Sequence, residues 1–223
     1  MKPRKRLATR PDEISVSAHT LLHQLRNVLQ PLQSHVQILN SRQPDHSPLL
    51  THIQSDLDYI ERFVSRASSL TRELEPELAP VKIHSLLSSV VHELGARFSG
   101  IQISVDADET TWPLDECLFR IALVELITNA VEATVDCTER HIALKCRKKD
   151  DTLELSIHDN GNRLTEEIRA RLFSPFFTTK GISGAGLGLP LALKIVGAHG
   201  GTLNVGSDKK TTCARISLRP VAC

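Results

Sequence analysis

The sequence predicts an α+β protein, in which an N-terminal helical hairpin precedes an α/β sandwich of helices layered on one face of a mixed sheet. Three observations predict this fold. Apolar residues recur at three- and four-residue steps from position 18 to 67, as on amphipathic helices. After residue 100, short apolar–polar alternations indicate strands. A glycine-rich loop at 183–190 then leads directly into an apolar helical run.

The hairpin consists of two amphipathic segments separated by residues 40–48, which have the composition of a turn. The first stripe contains Ala18, Leu22, Leu25, Leu29, Leu32, Val36 and Leu39, and the second contains Leu50, Ile53, Leu57, Ile60, Val64 and Ala67. A lone hairpin would leave much of these stripes in water, so we expect two copies to pair as a four-helix bundle. The alternative is a hairpin docked on the second domain of its own chain.

Charge and two prolines interrupt the helical pattern at 73–80. We therefore predict a basic tail at 1–17, the hairpin at 18–75, a linker at 76–82 and a second domain at 83–220. The predicted helices are 81–94, 114–133 (one helix or two) and 191–198, and the predicted strands are 102–105, 141–147, 152–158, 202–205 and 213–218.

Composition narrows the class of protein. With 27 basic and 26 acidic residues, the net charge of +1 does not favour binding to nucleic acid or to a membrane surface. The five cysteines lack metal-binding spacing and are predicted to be reduced thiols. No apolar run has transmembrane length, and residues 1–6 lack the apolar segment of a signal peptide. We therefore expect a cytoplasmic protein with no membrane segment in this chain.

The glycine loop, Ser183 to Pro190, closely follows Phe173 to Lys180, with two residues between them. Glycines before a helix allow backbone N–H groups to approach a phosphate, and the helix N-terminus favours negative charge there. Pro190 fits the first turn of that helix, where its missing N–H breaks no hydrogen bond. These features favour a phosphate site.

Two segments upstream carry polar residues at defined positions. Glu125 and Asn129 are four residues apart in a helical pattern, which places both side chains on one face. Asp159 ends an alternating strand just before Asn160 and Gly161. At a strand end, this carboxylate could accept a hydrogen bond from an exocyclic amino group.

Taken in order, these segments resemble the Bergerat-fold ATP-binding module of sensor histidine kinases, gyrase, Hsp90 and MutL, and the segment 176–180 resembles the histidine-kinase branch. The resemblance implies that Asn129 coordinates Mg²⁺ and that Asp159 reads the adenine of ATP. It also implies a mobile lid with phosphate contacts. The predicted nucleotide set is completed by Gly161, Lys180, Gly184, Gly186, Leu187 and Gly188.

The segment from Leu22 to Leu32 resembles the phosphoacceptor box of histidine kinases. The resemblance implies that His23 accepts the γ-phosphoryl group of ATP and passes it to an aspartate on the receiver domain of a response regulator. It implies a homodimer through residues 18–75, and that Asn27 positions water to dephosphorylate the partner.

Three residues depart from the family pattern. Gln24 replaces the usual acidic residue and cannot act as a base, which weakens the kinase prediction more than the phosphatase prediction. Arg163 replaces a glycine, and Glu125 stands where many histidine kinases have asparagine. Glu125 could assist proton transfer, complete the Mg²⁺ shell or be structural. The alternatives to a kinase are a phosphatase or phosphotransfer adaptor and, less favoured, an ATP hydrolase of the gyrase type.

Overall fold

The computed structural model describes residues 29–30, 32–34, 36–39, 47–95, 98, 100–162, 164–179, 185–207 and 211–220. The chain divides into two compact units, Met1–Glu73 and Leu74–Cys223.

The described residues of the first unit form two helices. Helix α1 is described at 29–30, 32–34 and 36–39, and α2 spans Ser47–Thr71. Leu29 of α1 is buried with Leu57 and Val64 of α2, and Val36 and Phe63 pack against this core. The described parts of the two helices therefore pack together through the apolar stripes that the sequence predicts.

A polar contact accompanies this core. The amide of Gln33 donates hydrogen bonds to Glu61 at 2.9 Å and to Asp58 at 3.3 Å. Several apolar side chains remain exposed within the same unit: Leu32, Ile38, Leu39, Ile53 and Ile60.

The second unit contains two sheets. Strands β1 (Ala79–Lys82) and β3 (Thr111–Leu114) form an antiparallel pair. The larger sheet has the order β2-β4-β5-β7-β6 and contains Gln102–Ala107, His141–Lys149, Thr152–Asp159, Thr212–Leu218 and Thr202–Ser207 in that order. The pair β2–β4 is parallel and the remaining pairs are antiparallel, so the sheet is mixed.

Helices cover one face of this sheet. Helix α3 (Ile83–Gly95) contacts β2, α4 (Glu116–Ala133) contacts β5, and α6 (Gly188–Ala198) contacts β6. Helix α4 also packs against both α3 and α6, so the three form one layer. A short helix, α5, spans Glu166–Arg171. Side chains on β5 alternate between the buried, helix-covered face and a half-buried outer face.

The predicted α+β class and helix-on-sheet sandwich are confirmed for the second unit, one predicted helix start is wrong, and some short elements were not predicted. The helix predicted from Val81 begins at Ile83, because Val81 lies in β1 and pairs with Trp112 of β3. The pairing of these four-residue strands depends on distant sequence, so local pattern alone did not reveal them. Helix α5, capped by the Thr165 side chain, was also not predicted. Within the described residues, no helix combines the length and hydropathy needed to span a membrane.

Candidate nucleotide-binding site

Helix α4 positions Glu125 and Asn129 one turn apart. The helix begins after Asp115, whose Oδ1 accepts a hydrogen bond from the backbone N–H of Leu118 at 3.0 Å. Most of its remaining core-facing residues are apolar and buried. Glu125 is also buried, at 9% exposed, whereas Asn129 is half-buried. Glu125 and Asn129 are therefore polar residues on a helix whose other inward side chains pack in the core.

Asp159 is the last residue of β5 and continues its inward alternation after Leu153, Leu155 and Ile157. Its exposed fraction is only 5%. One carboxylate oxygen, Oδ1, accepts a hydrogen bond from the backbone N–H of Gly161 at 3.0 Å. Burial of a carboxylate is unfavourable without hydrogen-bond donors, so this position is suited to a ligand that supplies a further donor.

Close backbone contact joins the end of β5 to the end of α4. A Cβ at Gly161 would collide with the backbone carbonyl oxygen of Ala133. The N–H of Asn162 donates to that same oxygen at 3.2 Å. The hydroxyl of Thr212, at the start of β7, donates to the Asn162 carbonyl at 3.3 Å. Glycine is required at 161 because any larger residue would separate the strand end from the helix.

Helix α6 begins at Gly188, which faces Glu125. A Cβ on Gly188 would lie 2.5 Å from Glu125 Oε2, so glycine allows the helix to start beside that carboxylate. The positive end of the helix dipole favours negative charge at this point. Leu187, just before the helix, is buried, and Pro190 lies in the first turn, as predicted.

The glycine loop is packed against the Phe-Phe segment. Gly186 has a φ of +65°, and a Cβ there would lie 2.6 Å from the carbonyl carbon of Phe176 and 2.7 Å from the oxygen of Phe177. The Phe176 N–H donates to the Gly186 carbonyl at 3.0 Å. Phe176 itself has a φ of 65° and is 66% exposed. The two motifs that are adjacent in sequence therefore form one packed unit.

The site residues predicted from the sequence fall into two groups. The structure brings Glu125 against Gly188 and Asp159 against Gly161, in both cases with α4 as one wall. It places Asn129 on that same helix, and Gly186 and Leu187 just before α6. The others lie outside the described residues: His23, Asn27, Lys180 and Gly184, together with Gln24 and Arg163.

The sequence did not single out Thr212. It is buried and pairs with Asp159 across β5 and β7. The predicted strand began one residue later, at Cys213, and no local signal indicates which strand pairs with β5.

No group of three His, Cys, Asp or Glu side chains in the described part of the chain could hold a metal ion. Magnesium usually keeps several waters and binds one or two protein oxygens together with substrate phosphates. The amide oxygen of the half-buried Asn129 suits that mode of binding, which needs no cage of carboxylates.

Comparison with known proteins gives a family match to the second unit. Residues 115–221 match the family described as "Histidine kinase-, DNA gyrase B-, and HSP90-like ATPase". This range begins at the α4 cap and includes Glu125, Asn129, Asp159 and the glycine loop.

One relative is the sensory histidine kinase/phosphatase NtrB of Rhizobium meliloti (strain 1021), which is 31% identical over 220 residues. The alignment covers 90% of this chain and 57% of NtrB, so the chain spans little more than half the length of that relative.

Two solved structures share the fold. Full-length ShkA, in complex with AMPPNP, superposes with a TM-score of 0.80 at 24% identity, covering 93% of this chain and 46% of ShkA. The histidine kinase ThkA, in complex with the response regulator protein TrrA, superposes with a TM-score of 0.67 at 20% identity. That match covers 95% of this chain and 65% of the other.

Proposed function

We propose that this chain, which through residues 115–221 belongs to the histidine kinase-, DNA gyrase B- and HSP90-like ATPase family, is an ATP-dependent protein histidine kinase. The observation that carries the proposal is the packing of the end of β5 and the start of α6 against α4, an arrangement we call the cradle. Asp159 is buried at the end of β5, Gly161 is pressed against the end of α4, and Gly188 lets the start of α6 approach Glu125. The end of β5 and the start of α6 thus both contact α4; the first carries an acceptor suited to adenine, and the second is a helix N-terminus suited to phosphates.

Within this cradle, Asp159 would accept a hydrogen bond from the exocyclic amino group of adenine. Gly186, Leu187 and Gly188 would present backbone to the phosphates at the start of α6, with Gly184 and Lys180 in the preceding segment. Asn129 would hold Mg²⁺ through its amide oxygen, and the ion, when bound, would offset charge on the phosphates. Glu125, beside Gly188, would act on a water or a proton near the metal.

His23 would receive the γ-phosphoryl group. Its neutral imidazole attacks phosphorus in line, the bond to ADP breaks, and the nitrogen loses its proton. Gln24 cannot take that proton as a carboxylate would, so we expect slow autophosphorylation. Phosphohistidine would then transfer the group to an aspartate of a receiver domain. The complex of ThkA with TrrA supports a response regulator as the partner class.

Dimerisation through residues 18–75 would complete the first unit. Ile53 and Ile60 of α2 are exposed although they belong to the apolar stripe that includes the buried Leu57 and Val64. A second hairpin would cover these side chains in a four-helix bundle.

A second candidate function is dephosphorylation of the response regulator. NtrB carries the name kinase/phosphatase, and Asn27, one helical turn after His23, would position the attacking water. Gln24 cannot act as a base, and a phosphatase needs no base at that position. An ATP hydrolase of the gyrase type is the least favoured candidate, because it rests on Glu125 alone.

The test is incubation of the purified chain with γ-labelled ATP and Mg²⁺. We expect acid-labile, base-stable label on the unaltered chain and none on His23→Ala or Asn129→Ala. His19→Ala is the matched control, because it removes a histidine from the same predicted helix and should retain the label.

An unlabelled chain that binds an ATP analogue would exclude the kinase proposal and favour phosphatase or adaptor function. Phosphate release that continues unchanged in His23→Ala would instead favour the hydrolase. For the phosphatase, the readout is loss of label from an aspartyl-phosphorylated receiver domain, which Asn27→Ala should slow.

A further inference from the structure

A cysteine and a histidine face each other on the outer side of the large sheet. Cys213 of β7 pairs directly with His158 of β5, and both side chains are half-buried. Cys213 Sγ lies 3.7 Å from His158 Nε2, within hydrogen-bonding distance for sulfur. The same nitrogen lies 3.1 Å from the hydroxyl oxygen of Ser156. An imidazole at this distance can take the proton of the thiol.

The charge beside the pair is mixed, with two cations and one carboxylate. The neighbouring row on the same face contains Asp106, Lys145, Ser156 and Arg215, which pair in that order across β2, β4, β5 and β7. Both cationic residues are exposed. In general, cations near a thiol favour the thiolate, which is the form that attacks an electrophile.

A cavity borders the pair. Its volume is about 420 Å³, and its lining includes His158, His141, Ser104, Asn160 and Thr211. These residues lie around the outer face at the ends of β2, β4 and β5. The cavity gives a small reagent a path to the histidine side of the pair.

Two other cysteines provide contrasts. Cys137 is half-buried like Cys213, but its thiol donates to the Asn160 carbonyl oxygen at 3.3 Å, an acceptor that cannot take the proton. Cys146 is buried on the helix-covered face, and burial raises the pKa of its thiol to about 12. Cys137 and Cys213 therefore do not differ in exposure. They differ in the group that the thiol contacts, which is a carbonyl oxygen for Cys137 and the imidazole of His158 for Cys213.

We propose that Cys213 is a reactive thiol that hydroperoxides oxidise, and that modification at this position weakens nucleotide binding. The thiol proton passes to the imidazole of His158, and the thiolate attacks the terminal oxygen of the hydroperoxide. A sulfur–oxygen bond forms and the oxygen–oxygen bond breaks. The leaving oxygen takes the proton from the imidazolium and departs as an alcohol or water. Cysteine is oxidised to sulfenic acid and the peroxide is reduced.

The effect on nucleotide binding, which rests on the proposed function, follows from the strand register. His158 precedes Asp159, and Cys213 follows Thr212, which pairs with Asp159. Thr212 also donates to the carbonyl of Asn162. A group added to sulfur between the two strands would displace this pairing and move the buried carboxylate.

The first experiment treats the full chain with iodoacetamide at neutral pH and follows each cysteine-containing peptide by mass spectrometry. We expect Cys213 to react at least about ten-fold faster than Cys137, with Cys146 unreactive. His158→Asn keeps a polar side chain without a proton acceptor and should bring the rate at Cys213 down to that of Cys137. Equal rates in the unaltered chain, or an unchanged rate in His158→Asn that retains the wild-type melting temperature, would overturn the assignment. A matching treatment with hydrogen peroxide, trapped by dimedone, should give sulfenic acid at Cys213, and its absence there would refute the oxidation step.

The second experiment measures the affinity for an ATP analogue after alkylation. We expect the alkylated wild-type chain to bind at least about ten-fold more weakly than Cys213→Ser treated in the same way. Equal affinities would refute the link to the nucleotide site. Failure of the untreated chain to bind the analogue would refute the proposed nucleotide site instead, and the labelling rates would still decide whether Cys213 is activated.

Discussion

Asp159 is the residue on which the proposed contact with adenine depends. It is 5% exposed, at a position where the preceding inward residues of β5 are apolar. The Gly161 N–H supplies one donor to Oδ1 at 3.0 Å. The carboxylate therefore holds an acceptor in a place that an apolar side chain would otherwise fill, where a donor on a ligand would stabilise it further.

We expect Asp159→Asn to weaken binding of an ATP analogue by about 1.5–3 kcal/mol, the usual range for a hydrogen bond to a charged group. The reason is that the amide lacks the charge and presents only one acceptor. Titration calorimetry measures this directly. Asp151→Asn, at the exposed turn between β4 and β5, is the control and should bind as the wild type does. Equal affinity of the two variants would remove Asp159 from the site.

Two glycines allow a paired test of backbone contact. Gly161→Ala should lower the free energy of unfolding by about 1–3 kcal/mol, because the new Cβ collides with the carbonyl of Ala133 where the end of β5 packs on the end of α4. Gly197→Ala has no atom within 4 Å of its Cβ and lies inside α6, so it should raise stability by about 0.5–1 kcal/mol. Urea denaturation of both variants measures the difference. A Gly161→Ala variant as stable as the wild type would show that the end of β5 can move away from the end of α4.

At the scale of elements, Asp115 and His199 connect two helices of the second unit. Asp115 caps α4, and its Oδ2 accepts the Glu77 N–H at 3.1 Å. His199 Nε2 accepts the Asp115 N–H at 3.1 Å, while Nδ1 donates to the Ile195 carbonyl at 2.8 Å. The imidazole therefore joins the start of α4 to the end of α6 through its two ring nitrogens.

The Asp115 cap predicts how the stability of the protein depends on pH. The hydrogen bond from Leu118 N–H is the main cause that lowers the pKa of Asp115, and the Glu77 N–H adds to it. Because the folded pKa lies below the unfolded one, the contribution is complete above about pH 4 and is lost as pH falls through the folded value. Asp115→Ala should be about 1 kcal/mol less stable at neutral pH.

The measurement is chemical denaturation of Asp115→Ala and wild type from neutral to acidic pH. The stability difference should shrink as the pH falls below about 4. Asp151→Ala, in the exposed turn, should match the wild type throughout. A difference that stayed constant down to low pH would mean that the charge of Asp115 contributes nothing.

Helices and strands were predicted correctly where the periodicity of apolar residues was enough to identify them, and they were missed where it was not. Helix α4 and strands β4, β5 and β7 were recognised from periodicity, with ends shifted by one or two residues. Strands β1 and β3 were missed, because Val81 and Trp112 form a strand pair only when the chain brings them together.

At the scale of the whole molecule, dimerisation stays a prediction that a matched pair of substitutions can test. Ile60 on α2 and Ile121 on α4 are each 41% exposed. We expect Ile60→Glu to convert a dimer into a monomer, because a charge in the core of a four-helix bundle is unfavourable. Ile121→Glu should remain dimeric. Sedimentation equilibrium distinguishes the two, and a dimeric Ile60→Glu would place the interface elsewhere.

The sequence by itself predicted the helix-on-sheet class of the second unit, its resemblance to the ATPase family that residues 115–221 match, and a set of candidate site residues. It could do so because the glycine loop, the pair Glu125–Asn129 and Asp159 are local patterns tied to local geometry. The domain limits and the roles of all the candidate site residues, His23 and Asn27 included, stay predictions. Only the tertiary structure decided that Gly188 meets Glu125, that Gly161 meets Ala133 and that Cys213 meets His158. These contacts depend on strand order and helix packing, which arise from burial over the whole unit rather than from any single segment.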